Sequence, residues 1–424
     1  MLLFTTDLER LLNIALRLVT LGVRFAFIIV LAKLLDPEMV GYYGLFSATV
    51  GYVIYLVGLD FYTYATREII PTSAVKRGQF VKSQVALSLC LYVVVLPIAL
   101  VSLSLTDWPV SLLWWFAPIV ILEHFNQEVA RLLIALSRPV GASLVLFLRK
   151  ASWAILTVAL LATTAESRHL DMVFALWAAG GFMAAAVGWV SISRLGIEGW
   201  QLPIDWLWLR RGIIVSFGFF MSTLALRGVQ ILDRYWLEAL GGVEIVAVYV
   251  LFIGIAGSLL AFLDAGIFAF TYPELIRLNH EKDFKRLRTE TCRALRQTVL
   301  SVVFFGGVSL ILLPYLLAWV GTQVYQNESG IFPWVLSAMA LQGISMVPHF
   351  ALYAQGFDRP IIVSHVAALC VFVAATAVFS LNWPVLAVPI ALNLSFLFVL
   401  LLKSAAYLYL TPRGSVVIAA RPSS

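Results

Sequence analysis

Apolar runs of about 20 residues recur from one end of the chain to the other, and no stretch between them could hold a separate soluble domain. Each run is long enough to cross a hydrocarbon core of about 30 Å as one helix. A bilayer offers the backbone no water, so a spanning segment must be a helix or a strand of a closed barrel. Barrel strands would read as alternating apolar and polar residues, and that pattern is missing. The expected fold class is an all-α polytopic membrane protein. Twelve spans are expected, at about residues 11–35, 40–64, 80–104, 110–136, 140–164, 172–194, 212–238, 245–271, 298–320, 332–355, 361–380 and 385–409. Composition agrees: 62% of residues are hydrophobic and 12% charged, against roughly 25% charged in soluble domains. The first run exceeds a signal-peptide core and has no convincing small-residue cleavage site, so it reads as a retained span.

With the N-terminus placed in the cytoplasm, 20 of the 29 Lys and Arg fall in cytoplasmic segments, with Arg10, Lys403, Arg413 and Arg421 among them. Only Lys33 and Arg168 fall outside, and the other seven lie within spans. That bias predicts both termini cytoplasmic. The net charge of +6 then reflects topology and anionic lipid, and nucleic acid is not an expected partner. The charged stretch 274–296 reads as a cytoplasmic helix against lipid headgroups. Three cysteines, Cys90, Cys292 and Cys370, make neither a disulfide framework nor a metal spacing. No phosphate-cradling glycine loop and no metal cluster is present, and the external loops are short. The expectation is a protein that is no enzyme and has no cofactor.

Seven cations inside a membrane demand an explanation, because each costs about 2.5–3.5 kcal/mol at bilayer depth on insertion scales. Arg17 and Arg24, seven residues apart, return to one face of the first helix. Arg10, Asn13, Arg17, Thr20 and Arg24 share a narrow arc of it. Shifting the chain by 206 positions lays 31–51 on 237–257 with eight identities, including Glu38/Glu244 and Tyr43/Tyr249. This predicts a parallel pseudo-two-fold repeat of two six-helix bundles, 1–198 and 199–424. The joining stretch 195–211, rich in Trp, reads as an interfacial segment. In the seventh span, Ser216, Thr223, Arg227, Gln230, Arg234 and Glu238 form a matching stripe. The expected substrate site is therefore cationic, at the interface of the halves, and built from Arg17, Arg24, Arg149, Arg227 and Arg234. The blander alternative is that Arg17 and Arg234 reach for headgroups.

Span 4 carries Glu123, His124, Gln127, Glu128 and Arg131 on one side. Glu128 and Arg131, at i and i+3, are expected to neutralise each other and leave Glu123 the freer carboxylate. Glu123, His124 and Glu128, with Asp264 in span 8, are the candidates for ion or proton coupling; a structural polar network is the alternative. Arg149 and Lys150 are adjacent and point about 100° apart, so Arg149 is expected to face the site while Lys150 snorkels. His349 stands as a lone polar group. Pro97, Pro118, Pro314, Pro348 and Pro389 are expected within spans.

The segment 16–68, "LRLVTLGVRFAFIIVLAKLLDPEMVGYYGLFSATVGYVIYLVGLDFYTYATRE", resembles the opening two helices of polysaccharide flippases. These are the Wzx-type O-antigen transporters of the multidrug/oligosaccharidyl-lipid/polysaccharide exporter superfamily. The resemblance rests on an arginine in helix 1, on "LLDPEMVGYYGLF", and on "GLD" with Arg67 closing helix 2. "DRYWLEALGGVEIVAVY" (233–249) is similar to the Asp-Arg entry of the family's repeated loop. The chain departs from the pattern at Asp36 and Ala247, both turn positions. The resemblance implies translocation of an undecaprenyl-pyrophosphate-linked oligosaccharide from the cytoplasmic to the outer leaflet of a bacterial inner membrane. Membrane lipid and polysaccharide-assembly proteins would be its partners. Arginine forks suit pyrophosphate oxygens. The alternatives are a multidrug exporter of the same superfamily, whose site should be rich in unpaired acids, and a membrane polysaccharide polymerase or ligase.

Overall fold

The computed structural model describes residues 2–412, with side chains from Leu11 onward, Ala74 apart. The side chain of Arg10, and Arg413 and Arg421, lie outside the described residues. Every regular element among the described residues is helical. In chain order they are α1 (Leu2–Leu34), α2 (Pro37–Gly58), α3 (Tyr62–Ile69), α4 (Ala74–Ser104), α5 (Val110–Ala135), α6 (Pro139–Phe147), α7 (Trp153–Thr163) and α8 (Leu170–Ser193). Then follow α9 (Trp206–Gly241), α10 (Val243–Leu263), α11 (Ala269–His280), α12 (Phe284–Val320), α13 (Gln323–Asn327), α14 (Phe332–Ala354), α15 (Asp358–Phe379) and α16 (Pro384–Leu410).

Eleven stretches are long and apolar enough to cross a membrane. The expected span they lack is 110–136, which is α5. Its 26 residues suffice in length, but Glu123, His124, Asn126, Gln127, Glu128 and Arg131 pull it below a membrane-helix hydropathy. Two expected spans are not plain α-helices. A π-turn at Leu148–Ser152 joins α6 to α7, and another at Asp264–Phe268 joins α10 to α11. The five expected prolines do lie inside helices. The stretch 274–296 is not one helix: α11 ends at His280, Lys282 turns at φ 57°, and α12 begins at Phe284.

The packing resolves into two compact units. One runs to Leu251 and adds Trp319–Val324; the other holds Phe252–Ala318 and the chain from Tyr325 on. In the first unit, Phe46 of α2 stacks on Phe174 with centroids 4.2 Å apart and meets Phe116 and Trp177 edge-on. Gly41 and Gly44 let α2 touch α10, since a Cβ at Gly41 would stand 2.1 Å from the Val243 carbonyl oxygen. In the second unit, α14, α15 and α16 pack on one another along Ala368, Phe372, Leu392 and Phe396.

The joining segment, expected at the leaflet interface, is strapped to the first turns of α4. The Gly78 N–H donates to Glu198 O at 2.8 Å, Gln79 Nε2 to Pro203 O at 2.9 Å, and the Asp205 N–H to Ser83 Oγ at 3.0 Å. Gly199 sits at φ +88°, and a Cβ there would come within 2.1 Å of the Val75 carbonyl. Gly199→Ala is therefore expected to cost about 1–3 kcal/mol. Gly196, also left-handed but with nothing within 4 Å, should tolerate alanine better. Thermal unfolding of the two purified variants checks the difference; equal midpoints would dismiss the strap as a stabilising contact.

Candidate polar site in the first unit

The polar stripe of α5 does not stand in the membrane unpartnered. Glu123 is buried, and its Oε2 accepts from Arg149 Nε at 2.6 Å and from Lys150 Nζ at 2.7 Å. Trp177 Nε1 donates to Oε1 at 2.8 Å, and a second Arg149 nitrogen reaches Gln127 Oε1 at 3.1 Å. Two adjacent cations reach one carboxylate because they sit in the π-turn. The wider i→i+5 turn narrows the angle between neighbouring side chains. Two expectations are thus corrected. Lys150 does not snorkel, and Glu123 is the more heavily paired carboxylate rather than the freer one.

Lower on α5, Glu128 and Arg131 pair at 2.5 Å, as their spacing predicts, and Gln84 donates to the other Glu128 oxygen at 2.6 Å. The Arg131 guanidinium lies over the Tyr62 ring, 3.5 Å from its centroid, a cation–π contact. His124 is buried with Nδ1 2.7 Å from the Tyr92 hydroxyl, while Nε2 has no hydrogen-bond partner among the described residues. A Cβ at Gly58 would stand 3.3 Å from that nitrogen, so the glycine makes the imidazole's room.

Just past Gly58 the chain breaks. Leu59 and Asp60 both take left-handed φ, 49° and 48°, a conformation that non-glycine residues adopt at a cost of about 1–2 kcal/mol each. The break turns α2 into α3 and buries the Asp60 carboxyl, which hydrogen-bonds Thr223 and feels Arg131 and Arg227. Arg227 donates to Gln230 Oε1 at 2.7 Å and to the Tyr55 hydroxyl at 3.0 Å. Farther along α9, Arg234 pairs with Asp233 at 3.2 Å, and Asp233 also accepts from Tyr249 at 2.6 Å.

The expected residues therefore divide. Arg149, Arg227, Arg234, Glu123, His124 and Glu128 enter buried or half-buried contacts within this unit. Arg17 is exposed, with one hydrogen bond to a described residue, to Ser143 Oγ at 3.2 Å. Arg24 is exposed and makes no hydrogen bond or ion pair with a described residue; its electrostatic neighbours are Tyr43 and Lys150. Asp264 belongs to the other unit, exposed at the start of the second π-turn. Tyr55 and Trp177 join the site without having been singled out, and Asp60 joins it although it was noted only as part of the GLD motif. Asp60 carried a signal, as an acid near the end of an apolar run.

Three acids of this polar region are ion-paired, Glu123 with Arg149 and Lys150, Glu128 with Arg131, and Asp233 with Arg234, while Asp60 hydrogen-bonds Thr223 within the fields of Arg131 and Arg227. What remains over is positive: Arg17, Arg24 and one charge of the Arg149–Lys150 pair. Such a surface attracts anions, and its arginines can grip phosphate or carboxylate oxygens in pairs.

The chain has the fold of transporters and flippases that carry substrates across membranes. It superimposes on an inward-facing multidrug-resistance MATE family transporter of the MOP superfamily with a TM-score of 0.74, at 13% identity, over 94% of this chain and 97% of that one. The lipid II flippase MurJ matches with a TM-score of 0.72, at 11% identity, over 92% of this chain and 87% of that one. A MATE transporter in a bent conformation gives 0.61 at 13% identity, over 95% of each chain. No protein-family model and no curated protein sequence matches the chain.

Proposed function

We propose that this chain is a flippase for lipid-linked oligosaccharide, moving an undecaprenyl-pyrophosphate-linked O-antigen or exopolysaccharide unit from the cytoplasmic to the periplasmic leaflet of a bacterial inner membrane. The observation that carries the reading is the surplus of cations in the helices of the first unit, where Glu123, Glu128 and Asp233 are already ion-paired and Arg24 is left exposed. A diphosphate head is the matching anion, and its polyprenyl tail can stay in lipid while the head passes. In this reading α5 is the twelfth span, the halves are 1–198 and 199–424, and both termini are cytoplasmic. Arg17, Arg24, Arg149, Arg227 and Arg234 line the substrate path. Glu123 holds two of the cations in place, and Glu128 and His124 beside it, with Asp264 of the other unit, are the coupling groups. Outward movement of an anionic head is itself favoured by about 2.3 kcal/mol per charge per 100 mV in a cell negative inside. Polysaccharide-assembly proteins are the expected partners.

The MATE likeness supports a second reading, export of small cationic drugs. The two separate in proteoliposomes. Purified protein should speed the appearance of a labelled lipid-linked oligosaccharide in the leaflet open to an impermeant reagent, and should leave ethidium gradients unchanged. Ethidium export without oligosaccharide movement would replace the first reading with the second.

Topology has its own check. With Cys90, Cys292 and Cys370, all exposed, replaced by serine, Ser329→Cys should react with an impermeant thiol reagent in cells with a permeabilised outer membrane. Asp283→Cys should not. Labelling of Asp283→Cys alone would invert the orientation.

A further inference from the structure

The second unit holds a charge that the first unit's chemistry does not use. Lys403 lies on the inward stripe of α16, one turn beyond Val399 and two beyond Phe396, and is 1% exposed. It was expected among the cytoplasmic lysines at the end of its span; the fold buries it instead. Its Nζ stands 3.0 Å from His365 Nε2 on α15 and 3.2 Å from His349 Nδ1 on α14. The two imidazoles are nearly parallel, 15° apart, with centroids 6.0 Å apart. His349, which read as a lone polar group, is thus one of three nitrogen bases converging from three helices.

No carboxylate among the described residues contacts Lys403. The other titratable groups near the cluster are phenols: Tyr353 beside His349, Tyr272 of α11 stacked on Tyr353, and Tyr407 one turn along α16. Asp358, at the start of α15, acts on Tyr272. A buried ammonium without a counter-ion is costly unless hydrogen bonds hold it. Here two ring nitrogens can accept from the ammonium. If the proton leaves, either imidazole can turn its tautomer and donate to the amine instead. A second proton would place like charges about 3 Å apart, which the low dielectric forbids. The cluster is therefore satisfied in two states that differ by one proton.

We propose that Lys403, with His349 and His365, is a one-proton binding site inside the second unit, able to serve as the ion site of the transporter proposed above. The proton is taken up by the Lys403 amine, and the imidazoles reorient without themselves gaining charge. As a driving-ion site it rests on the transporter reading; as a proton site it does not.

The test needs no substrate. Purified protein is titrated between about pH 5 and about pH 10, a range that brackets free imidazole and approaches free ammonium, and compared with Lys403→Met. The wild type should take up one proton more per chain than the variant. The 13C-histidine resonances of His349 and His365, assigned by His→Gln substitution, should move together in the wild type and stay fixed in the variant. Lys403→Arg keeps the charge and stays protonated, so it serves if Lys403→Met does not fold, and it too should lose the uptake. Titration curves that coincide with wild type in a folded variant would overturn the site, whether or not the protein carries lipid-linked sugar. A missing oligosaccharide flux with the uptake intact would instead count against the substrate alone.

Discussion

Glu123→Ala should remove most folded protein from the membrane. The carboxylate is buried and is held by Arg149, Lys150 and Trp177. Taking it away leaves two adjacent cations in the π-turn facing each other without an anion. Removing one partner of a buried ion pair typically costs about 3–5 kcal/mol, a large share of the roughly 5–15 kcal/mol that holds a domain together. Glu123→Gln keeps the acceptor for Trp177 but not the charge, and should fail nearly as badly. The diagnostic variant is the double substitution Glu123→Gln with Lys150→Met. It removes one anion and one cation together, so folded yield should recover in part. Membrane-fraction immunoblots and thermal unfolding in detergent read both effects. A stable, fully expressed Glu123→Ala protein would show that the knot of charges carries no structural weight and would return Glu123 to the list of coupling groups.

Arg24→Ala should do the opposite: leave the protein in place and stop its work. Arg24 is exposed and has no hydrogen bond or ion pair to a described residue, so its loss should change stability by no more than about 0.5 kcal/mol. A charge-assisted hydrogen bond to a bound diphosphate is worth about 1.5–3 kcal/mol, which converts to a fall of roughly 10- to 100-fold in binding. Arg24→Lys keeps the charge and loses the fork, so it should recover only part of the export. Surface polysaccharide on complemented cells, normalised to membrane protein, is the measurement. Wild-type export by Arg24→Ala would end the claim that this arginine meets substrate. Arg227→Ala is the less diagnostic variant, because Arg227 also ties α9 to Tyr55 of α2; export and stability should fall together there.

Placing the helices needed only local information. An apolar run of about 20 residues has few fates, and eleven of the expected spans are found as such. The exception is informative: the polar residues that made α5 a candidate site also lower its hydropathy. The Glu128–Arg131 pair was legible for the same reason, since residues three apart on a helix face each other.

The partners of the other charges were not legible. Glu123 meets groups 26, 27 and 54 residues away. It meets the first two together because of a π-turn that ideal helical spacing cannot foresee. Asp60 is buried against Thr223, within the fields of Arg131 and Arg227, where Leu59 and Asp60 turn left-handed and end α2. Lys403, counted as cytoplasmic from its place at the end of an apolar run, is instead the buried centre of a cluster drawn from α14, α15 and α16. Sequence by itself determined which segments leave water and which charges they take with them, because transfer free energy adds residue by residue along one helix. Only the tertiary structure decided which of those charges cancel and which stand over. Pairing depends on distances of a few ångströms between helices, and a single inserted residue in a turn is enough to change them.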